Sequence, residues 1–264
     1  MTARDAAIAE LDRAVDGLGA GASAAELFAV VDVLDAQPSL RRSLSDPSAS
    51  DDQRAGLARR LFGGKLGAES VAVIGEVVKA PWGTGQRMAS ALERQAVRLA
   101  LKTAVDNGNL ADVVAQLNSL AAAVSSSHEL NAALRDRSYP VAAKQELIDR
   151  LIAGQALPAT RTLASRAVKA RRRNFTVTLQ SYLEMAAGLL GTKIARVTVA
   201  RPLDQARIDR LKAALEAQTG TPISIQIEVD PAVIGGMSVA IGDDVIESTV
   251  AGRLEQARRQ LINL

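Results

Sequence analysis

The sequence feature that most constrains the fold is an internal repeat with one fixed offset of ninety residues. The segment Leu11–Asp16 (LDRAVD) aligns with Leu101–Asp106 (LKTAVD), and Val78–Ala80 aligns with Val168–Ala170, both reading VKA. The same offset, without a gap, also matches Leu40 with Leu130, Leu44 with Leu134, Asp46 with Asp136, Ser48 with Ser138, Leu57 with Leu147, Arg60-Leu61 with Arg150-Leu151, and Gly64 with Gly154. Two helical segments rich in alanine and leucine can match by composition alone, but one register that includes turn residues favours duplication.

Within both copies, apolar residues recur three and four positions apart, which is typical of helices that bury one face. Glycine and proline interrupt the pattern, and Ser50 with Gln53 has the spacing of a capping box at a helix start. The predicted helices run over about 4–16, from Ser23 to Pro38, around 40–44, from Ser50 to Phe62, over about 68–79 and from Thr84 to Asp106. Because the last of these contains the segment that opens the second copy, we expect one long helix to join two bundles of about six helical segments each.

After Gly188 and Gly191 the hydrophobic pattern changes from helical to alternating. The segment Ile223–Val229 (ISIQIEV) alternates strictly, so it predicts a strand with one buried face and one wet face. Strands are also expected over Ile194–Ala200 and Met237–Ile241, with helices capped by Asp204 and by Ser248 or Thr249. The expected fold is mainly α, with two tandem helical bundles over residues 1–91 and 92–190 that share the long helix, followed by a small α/β domain over 191–264.

Residue composition excludes several kinds of functional site. The 264-residue chain has no cysteine and one histidine, which excludes disulfides and thiolate metal sites and leaves few imidazole-based catalytic arrangements. His128 has no second histidine at helical spacing, so we expect it to be exposed or to cap a short helix. The pair Asp243-Asp244 is expected to form a hairpin tip rather than a cation site. We therefore predict a binding and connecting protein with no catalytic residue, no metal and no cofactor.

Charge and hydropathy predict a protein that stays soluble in the cytoplasm. No run of about eighteen apolar residues is present, as a membrane-spanning helix would need. The N-terminal residues lack the apolar core of a signal peptide. The net charge is only +3, and acidic residues are interspersed with basic ones, which gives little support for binding nucleic acid.

The basic run Lys169–Arg173 (KARRR) leaves two interpretations open. Its cations complement the C-terminal dipole of the preceding helix, before Asn174 opens the next one. Alternatively, the run binds nucleic acid or an acidic protein partner, although only Phe175 is close enough to stack on bases. A basic helical adaptor is therefore the alternative function that the sequence allows.

The most specific motif in the chain lies in the segment Val229–Val250, which reads VDPxxIGGxxVxIGDxVIxxTV. With this motif, residues 195–261 resemble the C-terminal domain of the delta subunit of F-type ATP synthase, called oligomycin-sensitivity-conferring protein in mitochondria. The resemblance covers the second copy strongly and the first copy through the repeat. Actinobacterial members of that family carry an additional copy of the N-terminal helical domain, which is the organisation seen here.

The resemblance implies a structural role in a larger complex. A subunit of this kind is a stator, whose helical bundle holds the N-terminal segments of the α subunits and whose C-terminal domain grips the b subunit of the peripheral stalk. It is expected as one copy per complex on the cytoplasmic face of the bacterial inner membrane, touching the membrane only through the complex and binding no nucleic acid. The chain is expected to be either free-standing or the delta part of a b-delta fusion.

By analogy with the family, an α segment is expected to lie in a groove between the first and fifth helices of each bundle. The partner-binding residues assigned in this way are Ile8, Leu11, Val15, Val71, Ile74 and Val78 in the first copy, and Leu101, Val105, Leu163 and Val168 in the second. For any one of these positions, a place in the core of its own bundle is at least as good an interpretation, because all ten are apolar.

Overall fold

The computed structural model describes residues 3–18, 21–136, 138–154, 156–169, 174–191, 193–230, 236–241 and 244–247. The chain divides into two compact units, residues 1–182 and residues 183–264. The first unit is helical and the second is built around a sheet, so the chain is mainly α with a small α/β end, as predicted.

The helical unit is a succession of helices joined by short connections. They are α1 (Ala3–Gly17), α2 (Ala24–Ala36), α3 (Pro38–Leu44), α4 (Asp51–Phe62), α5 (Ala68–Lys79), α6 (Gly85–Asp106), α7 (Leu110–Ser126), α8 (His128–Arg135), α9 (Val141–Leu151), α10 (Pro158–Ala167) and the first half of α11 (Phe175–Leu189). The expected long helix is present as α6, whose 22 residues give it a length of about 33 Å.

The duplication is visible in the positions at which helices begin. Helices α3, α4, α5 and α6 begin at residues 38, 51, 68 and 85, and α8, α9, α10 and α11 begin at 128, 141, 158 and 175. These four second-copy helices therefore start ninety residues after their counterparts. The first copy and the second copy as far as residue 182 lie within the same compact unit, and the domain limits near residues 91 and 190 stay a prediction.

Several helix starts have the caps that the sequence predicts. The Ser50 hydroxyl accepts a hydrogen bond from the Gln53 backbone N–H at 3.3 Å, and the Gln53 side chain accepts one from the Ser50 N–H at 2.9 Å. Ser23 at the start of α2 and Thr84 at the start of α6 each accept one hydrogen bond from the backbone N–H three residues later. These bonds satisfy backbone donors that have no partner inside the helix, and so they fix where each helix begins.

The core of the helical unit is filled mainly by alanine, valine and leucine. The most extensive helix pairs are α2 with α6 and α4 with α5. Small side chains on these faces let the backbones approach closely. The only tryptophan, Trp82, is 8% exposed, and its Nε1 donates to the Val77 carbonyl oxygen at 2.6 Å. It therefore reports on the packing of the first repeat.

The second unit contains β1 (Lys193–Val199), α12 (Gln205–Thr219), β2 (Ile223–Val229), β3 (Met237–Ile241) and β4 (Asp244–Glu247). These strands form a sheet in the order β2-β1-β3-β4. Strands β1 and β2 are parallel, and the other two pairs are antiparallel. A parallel pair needs a crossover connection, which α12 supplies. The Asp204 carboxylate caps α12 as predicted, accepting from the Arg207 N–H at 2.8 Å.

The alternation of β2 predicts its burial only in part. Ile223 is buried, and Ile225 and Ile227 pack partly against the core. Val229, however, is 45% exposed, so the expected buried face is wrong at this end. Among the described strands β2 lies at an edge of the sheet, where fewer neighbours cover the side chains. The turn at Gly242-Asp243 and the final helix expected after Ser248 or Thr249 lie outside the described residues.

Candidate functional site

Most of the ten residues expected to line the grooves between first and fifth helices are buried inside the helical unit. Helix α1 packs against α5 in the first copy, and α6 packs against α10 in the second. Ile8 is half-buried and Val105 is 42% exposed. The other eight are at most 7% exposed, namely Leu11, Val15, Val71, Ile74, Val78, Leu101, Leu163 and Val168. These eight are core residues of the isolated chain, and contact of any of the ten with a partner stays a prediction.

A row of charged side chains joins α1 to α6. We call it the α1–α6 ionic strip, and its members are Asp12, Asp16, Arg94, Arg98 and Lys102. The Asp12 carboxylate accepts from Arg94 Nη2 at 2.9 Å and from Gln95 Nε2 at 2.7 Å. One turn along, Asp16 accepts from Arg98 Nη1 at 2.6 Å and also from Lys102. Carboxylates four residues apart on α1 thus meet guanidinium groups four residues apart on α6, a pairing that matches the helical repeat of both.

The strip shifts the pKa values of Asp16 and Arg98. The hydrogen bond from Arg98 is the largest cause that lowers the pKa of Asp16, to about 2, although burial opposes the shift. The same hydrogen bond raises the pKa of Arg98 above its ordinary value. The ionised forms are therefore favoured in the folded chain, and α1 is held to α6 at neutral pH.

Two buried arginines were missed by sequence reasoning. Arg54 is 7% exposed, and its guanidinium donates to the carbonyl oxygens of Val78 and Lys79 at 2.7 and 2.8 Å, at the C-terminal end of α5. Arg166 is 5% exposed and lies between helices of both copies. Departure from the repeat is the sequence signal that could have found Arg166, because the matching residue in the first copy is Glu76.

The family model for the ATP synthase delta (OSCP) subunit matches residues 98–261. This match spans more than half of the chain and covers most of the second copy and most of the α/β unit. The chain belongs to the ATP synthase delta (OSCP) subunit family.

Relatives within this family extend the similarity across the first copy. ATP synthase subunit delta of Streptomyces griseus is 38% identical over 259 residues, which cover 97% of this chain and 96% of the relative. The subunit delta of Cutibacterium acnes is 37% identical over 262 residues, with 99% and 100% covered. That of Nocardia farcinica is 37% identical over 242 residues, with 92% and 90% covered. The duplicated helical region is therefore aligned in these delta subunits as well.

Within the described part of this delta-family chain, few features suggest chemistry. No group of three or more histidine, cysteine or acidic side chains there is placed to hold a metal ion. A polar cavity of about 540 Å³ at the corner of α7 and α8 is lined by Ser125, Ser126, His128, Asn131, Ala132 and Arg135. His128 is exposed at the first position of α8, where Ser127 is the capping residue instead. No helix among the described residues is long and apolar enough to cross a membrane.

The basic run after α10 is described only at its first residue. Lys169 Nζ lies 2.7 Å from an Asp32 carboxylate oxygen, so this cation is engaged within the fold. Residues 170–173 lie outside the described residues. The adaptor alternative is not favoured, because family membership accounts for the chain without it.

The ionic strip makes stability depend on acid pH. Because the folded-state pKa of Asp16 is lowered from 3.8 to about 2, its contribution is present above the unfolded-state value and is lost as pH falls between these two values. The Asp16 side chain is 38% exposed, so we expect no more than about 1 kcal/mol from it. In an Asp16→Asn variant, the melting temperature should no longer show this part of the acid dependence, as measured by thermal unfolding followed by circular dichroism.

Asp106 occupies the matching position in the second copy and supplies the control. Asp106→Asn should lower the free energy of unfolding at neutral pH by less than Asp16→Asn does, because it leaves the pairs of Asp16 with Arg98 and Lys102 intact. An Asp16→Asn variant whose stability falls between pH 4 and 2 as steeply as that of the parent would contradict the role assigned to the strip.

Proposed function

We propose that this chain is a stator, or peripheral stalk, subunit of an F-type ATP synthase that links the catalytic α/β head to the b subunit. The observation that carries the proposal is the alignment with delta subunits over nearly the whole of both chains. Proton-driven rotation of the central stalk yields ATP only if the head cannot turn with it. The chain itself performs no bond chemistry in this role, and its contribution is mechanical.

The helical unit has physical properties suited to holding a load. Its interior is closely packed by aliphatic side chains, and packed interiors have low compressibility. The ionic strip ties the first helix to α6 by paired, two-point contacts. Stiffness of this kind limits the elastic loss when torque passes through the subunit.

The expected partners follow from the family role. We assign the N-terminal segments of the α subunits to the two helical copies and the b subunit to the α/β unit, with one copy of this chain per complex. The chain then lies on the cytoplasmic face of the bacterial inner membrane and reaches the membrane only through the complex. An amphipathic α segment would bind as a helix in a groove, with the half-buried Ile8 and the exposed Val105 as its most accessible contacts.

The stator role is tested by reconstitution. Membranes depleted of this subunit should hydrolyse ATP without pumping protons, and addition of the full chain should restore ATP-driven proton pumping and co-sedimentation with the α and b subunits. A chain that restores neither, while its helicity matches that of the native protein, would remove the proposal.

The duplication predicts two sites for α segments on one chain. In an isothermal titration of the full chain with an α N-terminal peptide, we expect saturation at two equivalents. A Val105→Asp variant should lose about one equivalent, because a charge on the second-copy surface would be desolvated by the peptide. Val33→Asp, at a residue 38% exposed on α2, is the control and should retain both. Saturation of the parent at one equivalent would contradict the two-site prediction.

A further inference from the structure

A cluster of four charged residues connects the two repeats within the helical unit, and we call it the junction cluster. Arg166 on α10 of the second repeat pairs with Asp32 on α2 of the first, at 2.6 Å from Nη1 to Oδ1, and with Glu93 on α6. Lys169 Nζ reaches the other Asp32 oxygen at 2.7 Å. The Arg166 guanidinium also lies over the Phe28 ring of α2, 5.0 Å from its centroid. Three helices, from both repeats and from the helix they share, therefore meet at one guanidinium.

The cluster is shielded from solvent on its central side. The Arg166 side chain is 4% exposed and that of Glu93 is 13% exposed, while Asp32 at the margin is 44% exposed. Burial opposes the charges of Asp32 and Arg166, yet their partners outweigh it, so the pKa of Asp32 is lowered and that of Arg166 is raised. Asp32 and Arg166 are thus both charged in the folded state, and separation of the helices would leave the buried Arg166 charge without its partner.

The repeat supplies an internal comparison, because the cluster has no counterpart inside either copy. The residues ninety positions from Asp32 and Phe28 are Ala122 and Asn118, which offer neither a carboxylate nor a ring. The counterpart of Arg166 is Glu76, which pairs with Lys79 on its own helix at 2.6 Å. This repeat position therefore carries a negative charge in the first copy and a positive charge in the second, where α10 meets the first repeat.

We propose that the junction cluster fixes the first repeat against the second, so that the two repeats move as one body. The shared helix α6 alone would allow the repeats to bend or rotate about it. The pair between Arg166 and Asp32 joins α10 to α2, and so it connects the two repeats a second time, in addition to α6. Any bending that parts α2 from α10 must break a buried ion pair and a cation–π contact together. This joint is a property of the isolated chain and does not depend on the stator role.

The absence of cysteine makes the joint measurable by paired spin labels. Ser43 on α3 and Ser119 on α7 are both exposed. The double variant Ser43→Cys with Ser119→Cys therefore places one label on each repeat. Ser43→Cys with Arg60→Cys places both labels on the first repeat as an internal reference. The inter-repeat pair in the otherwise unchanged chain should give a narrow distance distribution by pulsed electron–electron double resonance.

Loss of the cluster should widen only the inter-repeat distribution. We expect a width about twofold larger in Asp32→Asn and in Arg166→Met, since each removes one side of the pair. Asp32→Asn decides the matter if Arg166→Met fails to fold, because Asp32 lies at the partly exposed margin. Glu146→Gln breaks an exposed ion pair on α9 and should change neither distribution. An unchanged inter-repeat width in folded Asp32→Asn, or equal widening of the reference pair, would overturn the proposal.

Discussion

Replacement of Arg54 by methionine is expected to lower the free energy of unfolding by about 3–5 kcal/mol, because it removes the central donor of a buried hydrogen-bond network. The guanidinium donates to four backbone carbonyl oxygens and to the Asp51 carboxylate, at 2.6 to 3.1 Å. Methionine fills similar volume but removes all five of these hydrogen bonds, including those to the Val78 and Lys79 carbonyl oxygens at the end of α5. Urea unfolding followed by Trp82 fluorescence would measure the loss, because Trp82 bonds to the same end of α5 that Arg54 caps.

The second repeat provides a matched control at the same helical position. Lys144 stands ninety residues after Arg54 and donates to one carbonyl oxygen, that of Leu134, at 3.0 Å. Lys144→Met should therefore cost no more than about 1 kcal/mol, measured by circular dichroism under the same conditions. A loss below about 1 kcal/mol for Arg54→Met, or equal losses for the two variants, would show that the network does not stabilise the first repeat.

Substitution of two residues of α6 should have sharply different effects on stability, although the family analogy places both in the partner groove. Leu101 is fully buried and Val105, one turn later, is 42% exposed. Leu101→Ala should lower the free energy of unfolding by about 3 kcal/mol, because it leaves a cavity in a close-packed core. Val105→Ala should change it by less than about 0.5 kcal/mol. Thermal and urea unfolding of the two variants measures this contrast.

The same pair separates core residues from contact residues. If Leu101 belongs only to the bundle core, Leu101→Ala should lower the apparent peptide affinity only as far as it lowers the fraction of folded chain. Val105→Ala should weaken peptide binding although the chain stays fully folded. Equal destabilisation by the two substitutions would contradict the burial that distinguishes them.

The candidate groove shows the limit of inference from sequence most clearly. Periodicity places Leu11 on the inward face of its helix, and the family analogy adds Leu101 and Leu163; the structure buries all three. An inward face looks the same in sequence whether its neighbour is another helix of the chain or a segment of a partner, since both contacts need apolar side chains. Val105 continues the same helical stripe, yet it lies near the end of α6, where fewer neighbours cover it.

The sequence by itself determined the features that depend on nearby residues. The capping box at Ser50, the limits of β2 and the common helix starts of the repeats all follow from contacts within four residues or from a fixed period. Tertiary structure alone decided the strand order β2-β1-β3-β4 and the partners of the buried arginines. Arg166 and Asp32 lie 134 residues apart in the chain, and no local pattern can specify such a contact. Charges so far apart become partners only when packing brings their helices together and excludes water.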